Sequence, residues 1–213
     1  MKFVKEYERI GKLDRDIKNI ILMSKSPRRR DLLSFLNPQI KINPIDERKI
    51  ENKFMEVYKT DDFLTRVSKT CCEIAKAKSN ISLDEDSLYI SADTIVLIDD
   101  KIYGKPKTLE EARLMFMSYF GRVHHVVTSV CLRSRTYLDV FYSLAAVKFV
   151  DYYKDLDPLV DSYIREENIM DKAGAYGIQD LDNRFIEYIM GDYNTIIGLP
   201  VSEISRRIFG VIN

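Results

Sequence analysis

Long apolar runs are missing from this 213-residue chain, and no stretch approaches the ~20 apolar residues that a membrane-spanning helix needs. The opening residues, MKFVKEYERIGKLDRD, mix acids with bases and hold no apolar segment of the signal-peptide kind. A cytoplasmic protein without membrane attachment is the expectation. Net charge is missing too: 33 Lys and Arg stand against 33 Asp and Glu. No global field therefore draws the chain to nucleic acid or to an anionic surface, and any anion site must be local. Cysteine is scarce, with Cys71, Cys72 and Cys131 alone. An odd count with two adjacent in sequence is not a disulfide framework, and no metal-type Cys/His spacing accompanies it. Reduced, half-buried thiols are the expectation. Internal repeats, low-complexity segments and a convincing linker are also absent. That argues for one α/β domain over residues 20–213, preceded by an extension of residues 1–19.

What is present centres on Leu88 to Pro106, LYISADTIVLIDDKIYGKP. Leu88, Ile90 and Ala92 alternate with Tyr89, Ser91 and Asp93, and a continuous apolar run follows from Ile95 to Ile98. The pattern predicts a strand, a turn at Asp99-Asp100, a short second strand and then Gly104-Lys105-Pro106. Asp93 lies inside an otherwise apolar strand. A carboxylate placed there is costly unless it is paired, hydrogen-bonded or metal-bound.

Upstream, Phe3, Val4, Tyr7 and Ile10 fall near helical spacing, which predicts a short docked helix in the extension. Ile20 to Met23 reads as a buried strand. SKSPRRRDLL follows, with Ser26 as helix N-cap and Pro27 in the first turn. Ser24, Ser26, Arg28 and Arg29 gather hydroxyls and guanidiniums where helix N–H groups point outward, a local anion site; the alternative is a capped helix with solvated arginines. The phosphate-loop glycines are absent. Gln39 to Asn43 reads as a strand. Glu47, in a polar segment running to Asp61, is either a metal or base carboxylate near a strand end or a solvated loop acid. Asp62 to Ser79 reads as a helix with Lys76 and Lys78 near its C-terminus. Beyond the central stretch, Thr108 caps a helix, and Val123–Leu132 with Tyr137–Val150 reads as a hairpin. His124 and His125 face opposite ways on its first strand and do not suit one metal. Further on come a helix from Asp157, a loop containing DKAGAYGIQ with a short strand at Gly177-Ile178-Gln179, a strand at Phe185 to Ile189, and a C-terminal helix starting at Pro200. The Gln179 amide offers both a donor and an acceptor, as reading a base edge requires.

Four stretches in this order, ILMSKSPRRRDLL, SADTIVLIDDKIYGKP, GRVHHVVTSV, and KAGAYGIQ with GDYNTIIGLP, resemble the Maf family of house-cleaning nucleoside triphosphate pyrophosphatases. The likeness runs from about Ile20 to Phe209. It implies a long, bent mixed β-sheet flanked by helices, in two lobes with a central cleft. It implies hydrolysis of a nucleoside triphosphate to monophosphate and pyrophosphate with a divalent metal, Mg²⁺ or Mn²⁺, usually in a homodimer. By the same resemblance Asp93 is the catalytic acid and, with Glu47, a metal ligand. Arg28, Thr94 and Gln179 match positions linked to substrate choice, and Ser24, Ser26, Arg29 and Lys105 match phosphate-side positions. The family's helix lysine best matches Lys78, with Lys76 the rival. GRVHHVVTSV looks more like the dTTP/UTP branch than the 7-methyl-GTP branch. Two other readings are a catalytically weak nucleotide-binding regulator of cell division and an ITP/XTP pyrophosphatase. Asp180 departs from the family's usual glycine after Gln179, and the Cys71-Cys72 pair has no family role.

Overall fold

The computed structural model describes residues 3–14, 16–166 and 169–210. In chain order its elements are β1 (Val4–Gly11), β2 (Asn19–Leu22), α1 (Pro27–Leu32), β3 (Gln39–Ile40), α2 (Glu47–Val57), α3 (Phe63–Lys78), β4 (Ser87–Ile98), β5 (Lys101–Tyr103), α4 (Leu109–Met117), β6 (Val123–Arg133), β7 (Tyr137–Phe149), α5 (Asp157–Glu166), β8 (Ile186–Gly191), α6 (Tyr193–Ile197) and α7 (Val201–Phe209). The strands form one mixed sheet in the order β1-β7-β6-β4-β2-β3, with β5 added to β4 and β8 to β7.

Three long strands, β4, β6 and β7, form the spine. They are rich in β-branched and aromatic residues, and almost every position is buried, as expected of strands covered on both faces. The flanking strands do not run the full length of this spine. β4 pairs in parallel with β2 as far as Ile90 and antiparallel with β5 only from Val96 onward. On the opposite side, β7 pairs with β1 as far as Ser143 and with β8 from Ala145. The sheet thus forks at both margins, and two lobes share one spine.

Each lobe has its own core. Leu22, Leu33, Leu88, Ile90, Val130, Leu132 and Phe141 fill the first. Phe116, Tyr119, Val126, Phe149, Tyr163 and Phe185 fill the second, where Phe116 meets Phe149 and Phe185 edge to face. Truncating such a ring to alanine costs about 3–5 kcal/mol. α3 covers one face of the spine with Val67, Cys71, Cys72 and Ala75 packed on Ile95 and Val127.

Three expectations are corrected. Residues 4–11 form an edge strand, not a helix, and extend the sheet beyond β7. Glu47 does not lie in a loop; it opens α2, whose N-cap Asp46 accepts from the Lys49 N–H at 3.0 Å. Gly177 to Gln179 is not a strand but the approach to and start of a turn closed by Asp180 N–H donating to the Gly177 carbonyl.

Candidate active site

Asp93 stands on β4 inside the fork, between the last residue paired to β2 and the first paired to β5. Neighbouring residues of a strand face opposite sides. Asp93 therefore faces α3, and Thr94 faces α1 and α6. Only 8% of Asp93 is exposed, so its charge requires partners. α3 provides them. Lys78 Nζ lies 2.8 Å from Asp93 Oδ1, and the Cys71 thiol donates to Asp93 Oδ2 at 3.4 Å. Cys71 and Lys78 are seven residues apart, about two helical turns, and so share one face of the helix.

The same ammonium reaches a second acid. Lys78 Nζ is 3.1 Å from Glu47 Oε1 at the start of α2. Burial lowers the Lys78 ammonium, but Asp93, opposed by Arg29 and aided by Glu47, outweighs it, and the net shift is upward. Lys78 is therefore a cation at neutral pH. Lys76 points elsewhere, to Glu8 of β1 at 2.5 Å. Of the two candidate lysines, Lys78 is the one that meets Asp93.

On the other side of β4, Arg29 forms a clamp. Its Nε donates to the Gly198 carbonyl at 2.8 Å, Nη1 to Ala92 O at 3.0 Å and Ser24 Oγ at 3.3 Å, and Nη2 to Thr94 Oγ1 at 2.9 Å. Four of its five N–H groups are thus committed inside the protein. Burial lowers its guanidinium, and Asp93 opposes that shift. Gly198 is required at this approach: its φ of +123° is one that L side chains rarely adopt, and a Cβ there would lie 3.4 Å from Thr94 Oγ1. Thr128 Oγ1 donates to Thr195 O at 2.7 Å, so the 3.0 Å contact between the Thr94 and Thr128 hydroxyls has Thr94 as donor. The Thr94 hydroxyl proton is spent within the fold, and the chain Arg29–Thr94–Thr128 locks α1, β4, β6 and α6 together.

Ser26 caps α1 by accepting from the Arg29 N–H at 3.4 Å, and Ser24 Oγ accepts from the Ser26 N–H at 3.2 Å. Both hydroxyls keep their own O–H to donate. Arg28 reaches across to Asp171 at 4.0 Å, in the short helical turn that precedes the Gln179 loop. Lys105 is exposed on the turn after β5, and that turn is tied to the same loop by Gly174 N–H donating to Gly104 O at 3.0 Å. Gln179 is exposed at the loop's turn. Direct contacts thus gather Glu47, Lys78 and Asp93 on one side of β4 and Ser24, Ser26, Arg29 and Thr94 on the other, and the two sets meet at the Ala92 carbonyl, which accepts from Arg29 Nη1 at 3.0 Å and from Lys78 Nζ at 3.5 Å. Arg28, Lys105 and Gln179 belong to a second group arranged around the 171–180 loop.

The family model for Maf-like proteins matches residues 19–209. The chain belongs to the Maf family. It is 37% identical to a dTTP/UTP pyrophosphatase of Pyrococcus furiosus over 90% of this chain and 95% of that protein. It is 34% identical to a dTTP/UTP pyrophosphatase of Thermotoga maritima, over 89% of this chain and 88% of the other. A Bacillus cytotoxicus protein of the same description is 33% identical over 90% and 95%.

Two features of this Maf protein escaped the sequence reading. Glu51 lies one turn beyond Glu47 on α2, half-buried, and its carboxyl is raised by burial and then by Asp93. The i, i+4 spacing of Glu47 and Glu51 puts both on one face of a helix, a signal usable only once the segment is read as helical. Asp180, the departure from the usual glycine, turns to the buried Lys172, with Oδ2 3.3 Å from Nζ. A Cβ on Gly177 would collide with that Asp180 carboxylate at 2.6 Å. The acid is therefore part of the loop's internal bracing.

Proposed function

We propose that this Maf-family protein is a nucleoside triphosphate pyrophosphatase acting on dTTP and UTP, a house-cleaning enzyme dependent on a divalent metal. The observation that carries the reading is the Asp93 carboxylate, held by Lys78 beside Glu47 at the open fork of β4, in a chain whose relatives are described as dTTP/UTP pyrophosphatases. Hydrolysis at the α-phosphorus needs an oriented water, neutralised phosphate charge and support for leaving pyrophosphate. Asp93 orients the attacking water and accepts its proton as the new P–O bond forms. The bond from the α-phosphorus to the bridging oxygen then breaks, and pyrophosphate leaves.

Lys78 pairs with Asp93 Oδ1 at 2.8 Å and adds positive charge at the reacting phosphate. Arg28 and Lys105 contribute charge along the triphosphate, and the free O–H groups of Ser24 and Ser26 donate to its oxygens. Arg29 acts chiefly by holding Ser24, Thr94 and the Gly198 turn in place. Gln179 reads the base edge, and Thr94 shapes the pocket through its fixed hydrogen bonds.

The donor chemistry fits a hard cation. Among the described residues no group of three or more His, Cys, Asp or Glu side chains has metal-site geometry. A pair of carboxylates completed by substrate phosphate oxygens is, however, a common way to hold Mg²⁺. Asp93 and Glu47 would hold Mg²⁺ or Mn²⁺, and the ion would supply further neutralisation of phosphate charge. A cytoplasmic homodimer completes the reading.

The test is incubation of purified protein and Mg²⁺ with a panel of standard and modified nucleoside triphosphates, following monophosphate and pyrophosphate. Preferred release of pyrophosphate from dTTP and UTP supports the reading. Orthophosphate release contradicts the cleavage site, preference for ITP or XTP contradicts the substrate, and no product from any nucleotide points to a binding regulator.

A further inference from the structure

The two oxygens of Asp93 have different partners from one helix. Lys78 holds Oδ1, and the Cys71 thiol meets Oδ2 at 3.4 Å. The Cys71 sulfur is itself seated from the far side. Ser129 lies directly opposite Asp93 in the β4–β6 register; its hydroxyl donates in a shared bond to the Cys71 carbonyl at 2.7 Å and to the Cys71 sulfur at 3.1 Å, which leaves the thiol proton for Asp93. Cys71 is fully buried, so it is not placed to act as a nucleophile on a substrate in the cleft. Its sequence neighbour Cys72 packs into the core under α3. Of this adjacent pair, one thiol fills space and the other touches the proposed catalytic acid.

The geometry points to Cys71 as a positioning residue for Asp93: its S–H pins Oδ2 while Lys78 pins Oδ1. A carboxylate held at one oxygen can still swing about its terminal torsion, which is broad and roughly two-fold. Held at both, from donors two turns apart on a rigid helix, it presents fixed lone pairs to the cleft. Such holding by packed, hydrogen-bonded neighbours is what a preorganised acid or base requires. Thiols are weak donors, so the effect on turnover is expected to be moderate. This role rests on Asp93 being the catalytic acid, and the experiment separates the two claims.

Steady-state kinetics on dTTP compares wild type with Cys71→Ala and Cys71→Ser, and thermal melts check folding. The expected result is a kcat about 10-fold lower in Cys71→Ala with KM little changed, and recovery of most of that turnover in Cys71→Ser, whose hydroxyl again donates. A readout independent of activity is the S–H stretching band, isolated as the difference between wild type and Cys71→Ser. It should lie at the lower frequency of a bonded thiol and move up in Asp93→Ala, measured against Asp93→Ala with Cys71→Ser. Equal kcat in Cys71→Ala and wild type, no recovery in the serine variant, or a band that ignores Asp93 would overturn the positioning role. Absence of wild-type turnover would instead sink the functional reading, and the band shift would still judge the contact.

Discussion

Lys78 and Asp93 form a largely buried ion pair, with Nζ 2.8 Å from Oδ1 and side chains only 14% and 11% exposed. Glu47 shares the same ammonium at 3.1 Å. Removing one member of such a pair strands the other charge in a poorly solvated place. Lys78→Met is expected to lower stability by about 2–3 kcal/mol, somewhat less than for a wholly buried pair, and to depress turnover. Denaturant melts together with dTTP hydrolysis check this; a variant as stable as wild type would mean that water compensates Asp93.

Arg29 joins α1, β4 and the Gly198 turn through four donors fixed in one plane. A lysine has the charge but neither the fork nor the reach to all four acceptors. Arg29→Lys should cost about 2–3 kcal/mol by leaving buried acceptors unmet, and should raise KM as Ser24 and Thr94 lose their fixed positions. Unchanged melting and unchanged KM would show that the fork is dispensable.

Deleting residues 1–11 removes β1 and bares the half of β7 it covers. Exposed strand edges invite pairing with other chains. The truncated protein is expected to melt earlier and to self-associate in light scattering, while kcat per folded molecule stays within about two-fold, since the α3 contacts of β1 are to Glu73 and Lys76 and not to Cys71 or Lys78, which meet Asp93. A truncated chain that stays monomeric with wild-type melting would contradict the edge-covering role.

His124 is fully buried against Tyr119 and Tyr176, its Nε2 2.6 Å from the Tyr176 hydroxyl. Burial, with His125 adding, lowers it to about 3. Between about pH 6.5 and 3 the unfolded chain binds a proton that the folded one does not. Stability contributed by the neutral ring is therefore intact above pH 6.5 and declines as pH falls through that window, by at most about 1.4 kcal/mol per pH unit. His124→Gln, which cannot titrate, should show a shallower acid slope in urea melts between pH 6.5 and 4. Equal slopes would mean that the ring ionises in the folded state.

Much of this was readable in the chain. The Asp93 strand, the α3 helix, the β6–β7 hairpin and the capped helix at Thr108 all followed local rules that tertiary packing then respected. The extension did not, for a physical reason. The β1 register shifts between Glu6 and Glu8. A bulge adds a residue and breaks the two-residue alternation, so the half-buried Val4 and Tyr7 fall three apart and imitate a helix. α2 did carry a helical signal, with Ile50, Phe54 and Val57 at i, i+4 and i+7 behind the Asp46 cap, but the charged residues around them made the segment read as polar loop. Within the site, Asp93 stood out by its place in an apolar strand, whereas Glu47 and Lys78 read locally as a solvated acid and a solvated lysine and were singled out only by the family resemblance. The Cys71 contact and the Lys172–Asp180 brace depend on distances across the fold that no local pattern encodes.

In the proposed mechanism Asp93 performs the chemistry at the fork of β4. The most direct test is kcat for dTTP in Asp93→Asn beside a thermal melt of the same sample. Loss of about 100-fold or more in kcat, with folding preserved, is the expected result. Wild-type kcat in a folded Asp93→Asn variant would contradict the account and remove Asp93 from the mechanism.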